Sequence, residues 1–187
     1  MKTKFILHGG FTPKSIQEND PFFKEILKSV PDDCKILLVY FAKELDRIAS
    51  NKQEDVLQFE KNKGDKRLSF EVADENIFLE QIKKSDVIYL HGGSTVKLLD
   101  TLKKFSSLKK LFEGKIVAAD SAGVNGISCY CYSNMADVIL EGVGIIPFKT
   151  ICHYSDKHKK IVEDFDKYDN SLKLLLLKEY QYQVFYQ

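Results

Sequence analysis

The chain has 187 residues, enough for one domain that buries most of the surface exposed by its unfolded form. Its 28 Lys and Arg nearly balance its 27 Asp and Glu, so no strong electrostatic field favours nucleic acid or an anionic membrane as a partner. We therefore expect a single domain over residues 1–187 that binds neither.

In the first two thirds of the chain, apolar runs of β type alternate with segments of helical spacing. The predicted strands are "KFILHGG", "CKILLVYFA", "RLSFEVA", "DVIYLHGG" and "KIVAADSAG", and the predicted helices cover residues 15–29, 44–60, 75–84, 94–104 and a short stretch from about 123. Pro21 is expected in the first turn of the first helix, and Ser94 or Thr95 at the cap of the fourth. Several strands are apolar without alternation, as in parallel strands covered on both faces. The pattern predicts an α/β fold, a three-layer sandwich with a mostly parallel sheet.

The last third continues in the same way. The segment "EGVGIIPF" is expected to be a strand that begins at Glu141, and "FKTICHYSD" predicts another strand after Pro147. A charged helix over residues 157–168 and an apolar strand over residues 172–177 should follow. The final "EYQYQVFYQ" alternates, which favours an edge strand.

The N-terminus and the cysteines indicate a cytoplasmic protein. The segment "MKTKFILHGGF" has too short an apolar run for a signal peptide, and no later run approaches a membrane span. The four cysteines form no regular framework, so we expect free thiols in a reducing compartment. Cys129 and Cys131 are too close for the usual zinc hairpin, and core packing explains them better. No metal or organic cofactor is implied.

The segment "KIVAADSAGVNG" leaves its predicted strand through small residues around Ser121. Small neighbours let the backbone bend sharply, which is how a nucleophile is held at a strand end. The exits His8-Gly9-Gly10 and His91-Gly92-Gly93 should share the same sheet edge, where glycines let backbone amides approach a substrate. The amide of Ala122, directly after the serine, would supply one donor of an oxyanion hole.

A serine hydroxyl becomes a good nucleophile only when a base removes its proton, and the chain has four histidines. His158 is expected to be exposed in a Lys-rich helix, whereas His8 and His91 precede glycines and would orient loops. His153 follows an apolar run after Ser121 and is the predicted general base.

The acidic member of the triad stays open at this point. Asp137, Glu141 and Glu179 are all candidates, because each lies near a predicted strand end or connection after the serine. Asp120 is expected to point away from the hydroxyl and to shape the turn.

Four segments resemble a known family. "YLHGGSTVKLLDTL" resembles the Gly-Gly-Asn/Ser-Thr segment, "ADSAGVNGIS" the Gly-x-Ser-Ala-Gly-Ala nucleophile turn, and "EGVGIIPFKTICHYSD" the Asp-Gly-Leu-Gly-Leu-Leu-Pro…His-Tyr/Phe segment of the peptidase E and cyanophycinase-like serine peptidases. "ILLVYFAKE" is similar to that family's Ile-Pro-Phe-Ala strand. The resemblance covers most of the chain in order. Ala119 departs from the pattern, since the family usually has Gly there, and many relatives continue after Glu179 through a glycine-rich hairpin, whose loss would open the site or mark a degenerate member.

The resemblance implies a class I glutamine amidotransferase-like fold in which serine replaces the amidotransferase cysteine. It implies a serine peptidase that hydrolyses small peptides, with dipeptides carrying an N-terminal aspartate among the family's substrates. The residues implied are Ser121 as nucleophile, His153 as base, Asp137 or Glu179 as the acid, the amides of Gly93 and Ala122 as the oxyanion hole, and Gly92 and Ser94 beside them at the substrate.

Two other functions remain as alternatives. One is a catalytically inactive amidotransferase-like domain that binds a small molecule or a protein partner, with Ser121 merely capping a helix. The other is an esterase of the α/β-hydrolase type, which the short stretch after Ser121 disfavours. Arg47 and Arg67 are the only arginines and lie outside the motifs, so acidic specificity would rest on them or on lysines. The sequence leaves the oligomeric state open between a monomer and a homodimer.

Overall fold

The structure is a computed structural model that describes residues 2–12 and 16–187. A six-stranded sheet forms its centre. Its strand order is β10-β1-β5-β4-β2-β3. The strands are β1 (Lys4–His8), β2 (Asp33–Val39), β3 (Arg67–Val72), β4 (Val87–Leu90), β5 (Ile116–Asp120) and β10 (Tyr182–Tyr186). Strands β1 to β5 are parallel, and β10 pairs antiparallel with β1 at the sheet edge. The predicted strands of the first two thirds and the final edge strand are therefore confirmed.

Helices cover both faces of this sheet. They are α1 (Asp20–Leu27), α2 (Leu45–Asn62), α3 (Phe78–Lys84), α4 (Thr95–Leu102), α5 (Leu108–Leu111), α6 (Ala122–Ile127) and α7 (Lys159–Asp164). Successive residues of β1 show the division: Ile6 belongs to the apolar cluster that includes α1 and α2, while Leu7 belongs to the one that includes α3, α4 and α6. Because both faces are buried, the central strands need apolar side chains at every position. The three-layer α/β sandwich is confirmed.

The last third of the chain forms a second sheet, which the sequence did not predict as a separate unit. Its strands are β6 (Tyr130–Ser133), β7 (Val138–Glu141), β8 (Phe148–Cys152) and β9 (Lys173–Leu177), in the order β7-β6-β8-β9. Leu175 and Leu177 join the same apolar cluster as α4 and α6. The second sheet packs against α6, and its strands β8 and β9 lead directly to His153 and Glu179.

Two predictions in this region are wrong. Glu141 ends β7 instead of beginning a strand, because the amides after it bond to the end of α6 and the residue beyond it: Val143 donates to Gly126 and Gly144 to Ser128, both at 2.9 Å. His158 is 2% exposed rather than solvated. Its ring is held inside by a 2.7 Å hydrogen bond between Nε2 and Oδ1 of Asn134.

The helix boundaries are close to those predicted. Pro21 lies in the first turn of α1, and the predicted start at residue 15 lies outside the described residues. The charged helix is shorter than predicted, because 3₁₀ turns at Asp156–His158 and Phe165–Lys167 flank α7. Within the described ranges, every helix is too short or too polar to cross a bilayer.

Candidate active site

Ser121 occupies a sharp turn between β5 and α6. Its backbone has φ 46° and ψ −103°, a region that residues with a side chain rarely adopt. The turn needs small neighbours because α6 packs closely on β4: a Cβ added at Gly123 would lie 2.2 Å from the carbonyl oxygen of Leu90. The amide of Ser121 donates to the carbonyl of His8 at 3.0 Å, which ties the turn to β1. The small residues after the strand thus allow a bend that lifts one hydroxyl above the sheet edge.

A chain of two hydrogen bonds joins Ser121, His153 and Glu179. Oγ of Ser121 lies 2.9 Å from Nε2 of His153, and Nδ1 of His153 lies 3.0 Å from Oε1 of Glu179. Since a carboxylate can only accept, Nδ1 carries the proton that it donates to Glu179. Nε2 is then the unprotonated nitrogen of the neutral ring and can accept the serine proton.

Parallel pairing of β8 and β9 brings His153 and Glu179 to the same place. Cys152 and Leu177 are the last paired residues of the two strands, so the residues that follow leave the sheet at one edge. The amide of Tyr154 donates to the carbonyl of Leu177 at 3.0 Å, which continues the pairing past the strand ends.

The loop after β1 holds the imidazole against the serine. The amide of His153 donates to the carbonyl of Gly9 at 2.8 Å. A Cβ at Gly10 would lie 2.1 Å from Cε1 of His153, and one at Gly9 would lie 2.0 Å from the carbonyl oxygen of Lys178. This first glycine pair therefore makes room for the histidine segment, whereas the sequence suggested that it opens amides to a substrate.

Backbone strain is concentrated around these groups. Among the described residues, five non-glycine residues have positive φ, and four of them are Ser121, His153, Phe11 and Tyr180. The Phe11 ring contacts the His153 ring edge-on, with centroids 5.6 Å apart, and the Tyr180 ring at 5.7 Å. Such conformations persist only where the surroundings enforce them, and they cluster at functional sites.

The other acidic candidates lie away from the imidazole. Asp137 is in the turn between β6 and β7, and its carboxylate accepts a hydrogen bond from the hydroxyl of Tyr132. Glu141 ends β7. Asp120 is bound elsewhere, since it accepts from the hydroxyl of Thr12 at 2.7 Å and lies 3.2 Å from Nδ1 of His8. Glu179 is thus the candidate carboxylate that the structure brings to His153.

The second small-residue exit lies beside the serine. Gly93 has φ 148°, and a Cβ there would lie 2.4 Å from the carbonyl oxygen of Ala42. Ser94 caps α4, since its Oγ accepts from the amide of Lys97 at 3.3 Å. In the described part of the chain, no hydrogen-bond acceptor is found for the amides of Gly93 and Ala122. These two N–H groups can therefore donate to a bound oxygen.

A buried polar layer beneath the cavity was not expected from the sequence. Burial raises the pKa of Asp55 well above its usual range, and the hydroxyl of Tyr40 donates to its carboxylate at 2.8 Å. His91 lies 3.4 Å from the same carboxylate, and burial lowers the pKa of His91 to about 4. His91 also contacts the carbonyl of Gly92 at 2.8 Å through Nδ1. This neutral ring supports the loop that carries the amide of Gly93. In the sequence, Asp55 cannot be distinguished from the exposed charged residues of α2.

Other reactive groups near the serine are inert. Burial raises the pKa of Cys152 well above its ordinary value, so the thiol next to His153 stays protonated. Its Sγ donates to the carbonyl of Ser121 at 3.4 Å. Over residues 2–12 and 16–187, no group of three or more His, Cys, Asp or Glu side chains is arranged to hold a metal ion.

A cavity of about 280 Å³ opens beside Ser121. Its lining includes Lys43, Asn125, Ser133, Asn134 and Met135, which no sequence motif marks as site residues. The full lining consists of Phe11, Lys43, His91, Gly92, Gly93, Thr95, Asp120, Ser121, Asn125, Ser133, Asn134, Met135 and His153. It combines a nucleophile, a base, neutral polar groups, one lysine and the Asp120 carboxylate in a space the size of a small ligand.

Comparison with known proteins gives concordant results. A family model described as peptidase family S51 matches residues 5–182. The fold is similar to the crystal structure of a peptidase from an acI-B1 Actinobacterium, with TM-score 0.70, 20% identity, and coverage of 99% of this chain and 84% of that one. It is also similar to a putative peptidase E protein from Listeria monocytogenes EGD-e, with TM-score 0.66, 18% identity, and coverage of 100% and 98%. A search of curated proteins found no match.

Proposed function

The chain belongs to peptidase family S51, and we propose that Ser121, His153 and Glu179 are its catalytic triad. Family membership makes it a serine peptidase rather than an α/β-hydrolase esterase. The observation that carries the proposal is the continuous hydrogen-bond chain from Oγ of Ser121 through the imidazole to Glu179, with spacings of 2.9 and 3.0 Å.

The proposed reaction follows from this arrangement. Nε2 of His153 takes the proton from Oγ of Ser121 as Oγ attacks the peptide carbonyl carbon. The negative charge that develops on the carbonyl oxygen is stabilised by the amides of Gly93 and Ala122. The imidazolium then gives its proton to the leaving amine, and an acyl group remains on Ser121. Water, deprotonated by the same nitrogen, releases the acid and restores the serine.

Glu179 is the acid of this proposal rather than Asp137. Its carboxylate fixes the tautomer of His153 that leaves Nε2 free and balances the charge of the imidazolium. The Glu179 side chain is 42% exposed and that of His153 29%. Water therefore screens the pair, and we expect orientation of the ring to matter more than charge.

Small peptides are the proposed substrates, dipeptides with an N-terminal aspartate among them. A cavity of about 280 Å³ is slightly smaller than the usual range for ligand sites, roughly 300–1,000 Å³. Such a space accommodates the residue before the scissile bond and little more, which favours short substrates over folded proteins.

The remaining parts of the proposal concern the whole chain. We propose that residues 1–187 form one catalytic domain that works in the cytoplasm, consistent with four free cysteines of which three are buried. Light scattering of the purified protein distinguishes a monomer from a homodimer.

Digestion of a peptide library tests the proposed function. Wild-type protein and the Ser121→Ala variant are incubated with the library, and the products are identified by mass spectrometry. We expect cleavage of short peptides by the wild type only. Cleavage by both proteins, or by neither, would contradict the assignment of Ser121.

A further inference from the structure

The cavity beside Ser121 contains a lysine that the proposed mechanism does not use. Lys43 lies in the loop between β2 and α2 and lines the cavity together with Ser121 and His153. Its loop is fixed to the glycine loop, because the carbonyl of Ala42 accepts a hydrogen bond from the amide of Ser94 at 2.9 Å. The base of this side chain is therefore held in place beside the nucleophile.

Lys43 has no counter-ion of its own. Among the described residues, no carboxylate lies within 4 Å of its Nζ and no hydrogen-bond acceptor contacts it. The carboxylates whose charges act most strongly on it are Asp120, which also lines the cavity, and Asp55. Both are already engaged, Asp120 with His8 at 3.2 Å and Asp55 with Tyr40 at 2.8 Å.

This ammonium group is half-buried, and burial lowers the pKa of Lys43 below its ordinary value. Taking a charge out of water without a partner costs free energy, and a ligand that brings the opposite charge removes that cost. A carboxylate also forms a charge-assisted hydrogen bond with an ammonium group, one of the stronger polar contacts in proteins. No other Lys or Arg is among the cavity residues that the structure describes.

We propose that Lys43 determines the specificity of this cavity by binding, through Nζ, a carboxylate of the substrate next to the scissile bond. The inference rests on the proposed function, since it takes the cavity beside Ser121 as the substrate site. The carboxylate has two sources in a short peptide. It is either the side chain of an acidic residue before the scissile bond or the free C-terminus of a dipeptide.

The competing explanation is that Lys43 only balances the buried charge of Asp120. In that case the lysine would affect acidic and neutral substrates equally, and its removal would destabilise the fold. Under the proposal, its removal lowers the affinity for a peptide with a carboxylate but not for the same peptide with an isosteric amide. The two explanations therefore predict different values for the ratio of these two affinities. A change in the stability of the fold affects both affinities equally and leaves their ratio unchanged.

The test measures binding to the full chain carrying Ser121→Ala, so that no peptide is consumed. Calorimetry compares Asp-Leu with Asn-Leu, which differ only in the side-chain carboxylate, and Asp-Leu with its C-terminal amide. Each pair is measured again after Lys43→Met and after Lys43→Arg. Lys97→Met is the matched control, because Lys97 is paired with Glu44 at 2.6 Å and lies outside the cavity lining.

We expect Asp-Leu to bind on the order of 10²-fold more tightly than one of its two amide analogues. The pair that shows the difference identifies which carboxylate is bound. Lys43→Met should reduce the ratio to about 1, whereas Lys43→Arg and Lys97→Met should retain it. No preference for either carboxylate, or a preference that survives Lys43→Met, overturns the inference. Peptide cleavage by the wild-type protein is measured separately in the library digestion. The proposed function fails if the wild type cleaves no peptide, whereas the assignment of Lys43 fails if the affinity ratio does not depend on Lys43.

Discussion

The serine side and the histidine side of the site are built differently. Ser121 stands on the six-stranded sheet, where its turn is fixed by buried neighbours such as Ala122, which is 1% exposed. His153 and Glu179 come from the four-stranded sheet, and their side chains are 29% and 42% exposed. The first side depends on a local backbone conformation, whereas the second depends on strand pairing and on a loop from the other sheet.

This difference predicts how substitutions on each side affect activity. A strained turn surrounded by packed backbone has few alternatives, so the nucleophile should keep its position when its neighbours at the surface are altered. The imidazole has fewer buried contacts and relies on Glu179, Gly9 and Gly10. We therefore expect substitutions on the histidine side to lower activity gradually, and removal of the serine to abolish it.

Removal of the serine hydroxyl should have the largest effect. Ser121→Ala leaves no nucleophile, and we expect turnover to fall on the order of a million-fold if the triad acts as a unit. Stability should change little, because alanine can occupy the same space. The measurement is steady-state hydrolysis of the best library peptide, with a urea unfolding curve as the control for folding. A loss of turnover smaller than about 10²-fold would place the nucleophile elsewhere.

The acid of the histidine side should have a smaller effect. Glu179→Gln keeps the shape but introduces an NH2 donor, which no longer selects the tautomer with the proton on Nδ1 of His153; we expect kcat to fall by roughly 10³-fold, less than for a buried triad acid because Glu179 is partly solvated. Asp137→Asn is the matched control and should leave kcat unchanged. The opposite ranking of these two variants would make Asp137 the acid.

A methyl group added at Gly10, where the loop after β1 contacts His153, should displace the imidazole. Gly10→Ala places a Cβ against the His153 ring at a backbone φ of 127°, and we expect kcat/KM to fall by about 10²-fold. Gly64 is the control, since it also has positive φ, 61°, yet has nothing within 4 Å of an added Cβ. Gly64→Ala should cost about 1 kcal/mol of stability and no activity. Equal effects on activity would show that strain, not the contact with His153, is responsible.

Acid should destabilise the serine side through His91, whose pKa burial lowers to about 4. The unfolded chain binds this proton near pH 6.5, so its contribution to stability is present above that value and is lost as the pH falls toward about 4. We expect the free energy of unfolding to drop by about 2 kcal/mol from this group between pH 7 and pH 5. Urea unfolding of wild type and His91→Asn measures it. A drop of the same size in the variant would contradict the assignment.

The sequence predicted those features that are encoded locally. The central strands follow from uninterrupted apolar runs, and the turn at Ser121 follows from small residues at a strand end. Glu179 could not be separated from Asp137, because the choice depends on the pairing of Cys152 with Leu177, a register that neither strand specifies alone.

Other features escaped the sequence because identical residue types occur on solvated surfaces. Lys43 is followed by the charged start of α2, so nothing marks it as a cavity residue. His158 sits among lysines and was predicted to be exposed, yet it is bonded to Asn134 inside the second sheet. Burial of single polar residues is decided by tertiary packing, which periodicity does not report.

The most direct test of the triad is covalent labelling of the native protein at neutral pH with a fluorophosphonate, followed by intact and peptide mass spectrometry. The geometry at Ser121 and His153 predicts one adduct per chain, located on Ser121 and absent from Ser121→Ala. A protein that stays unlabelled, or that carries its adduct on a different residue, would contradict the account.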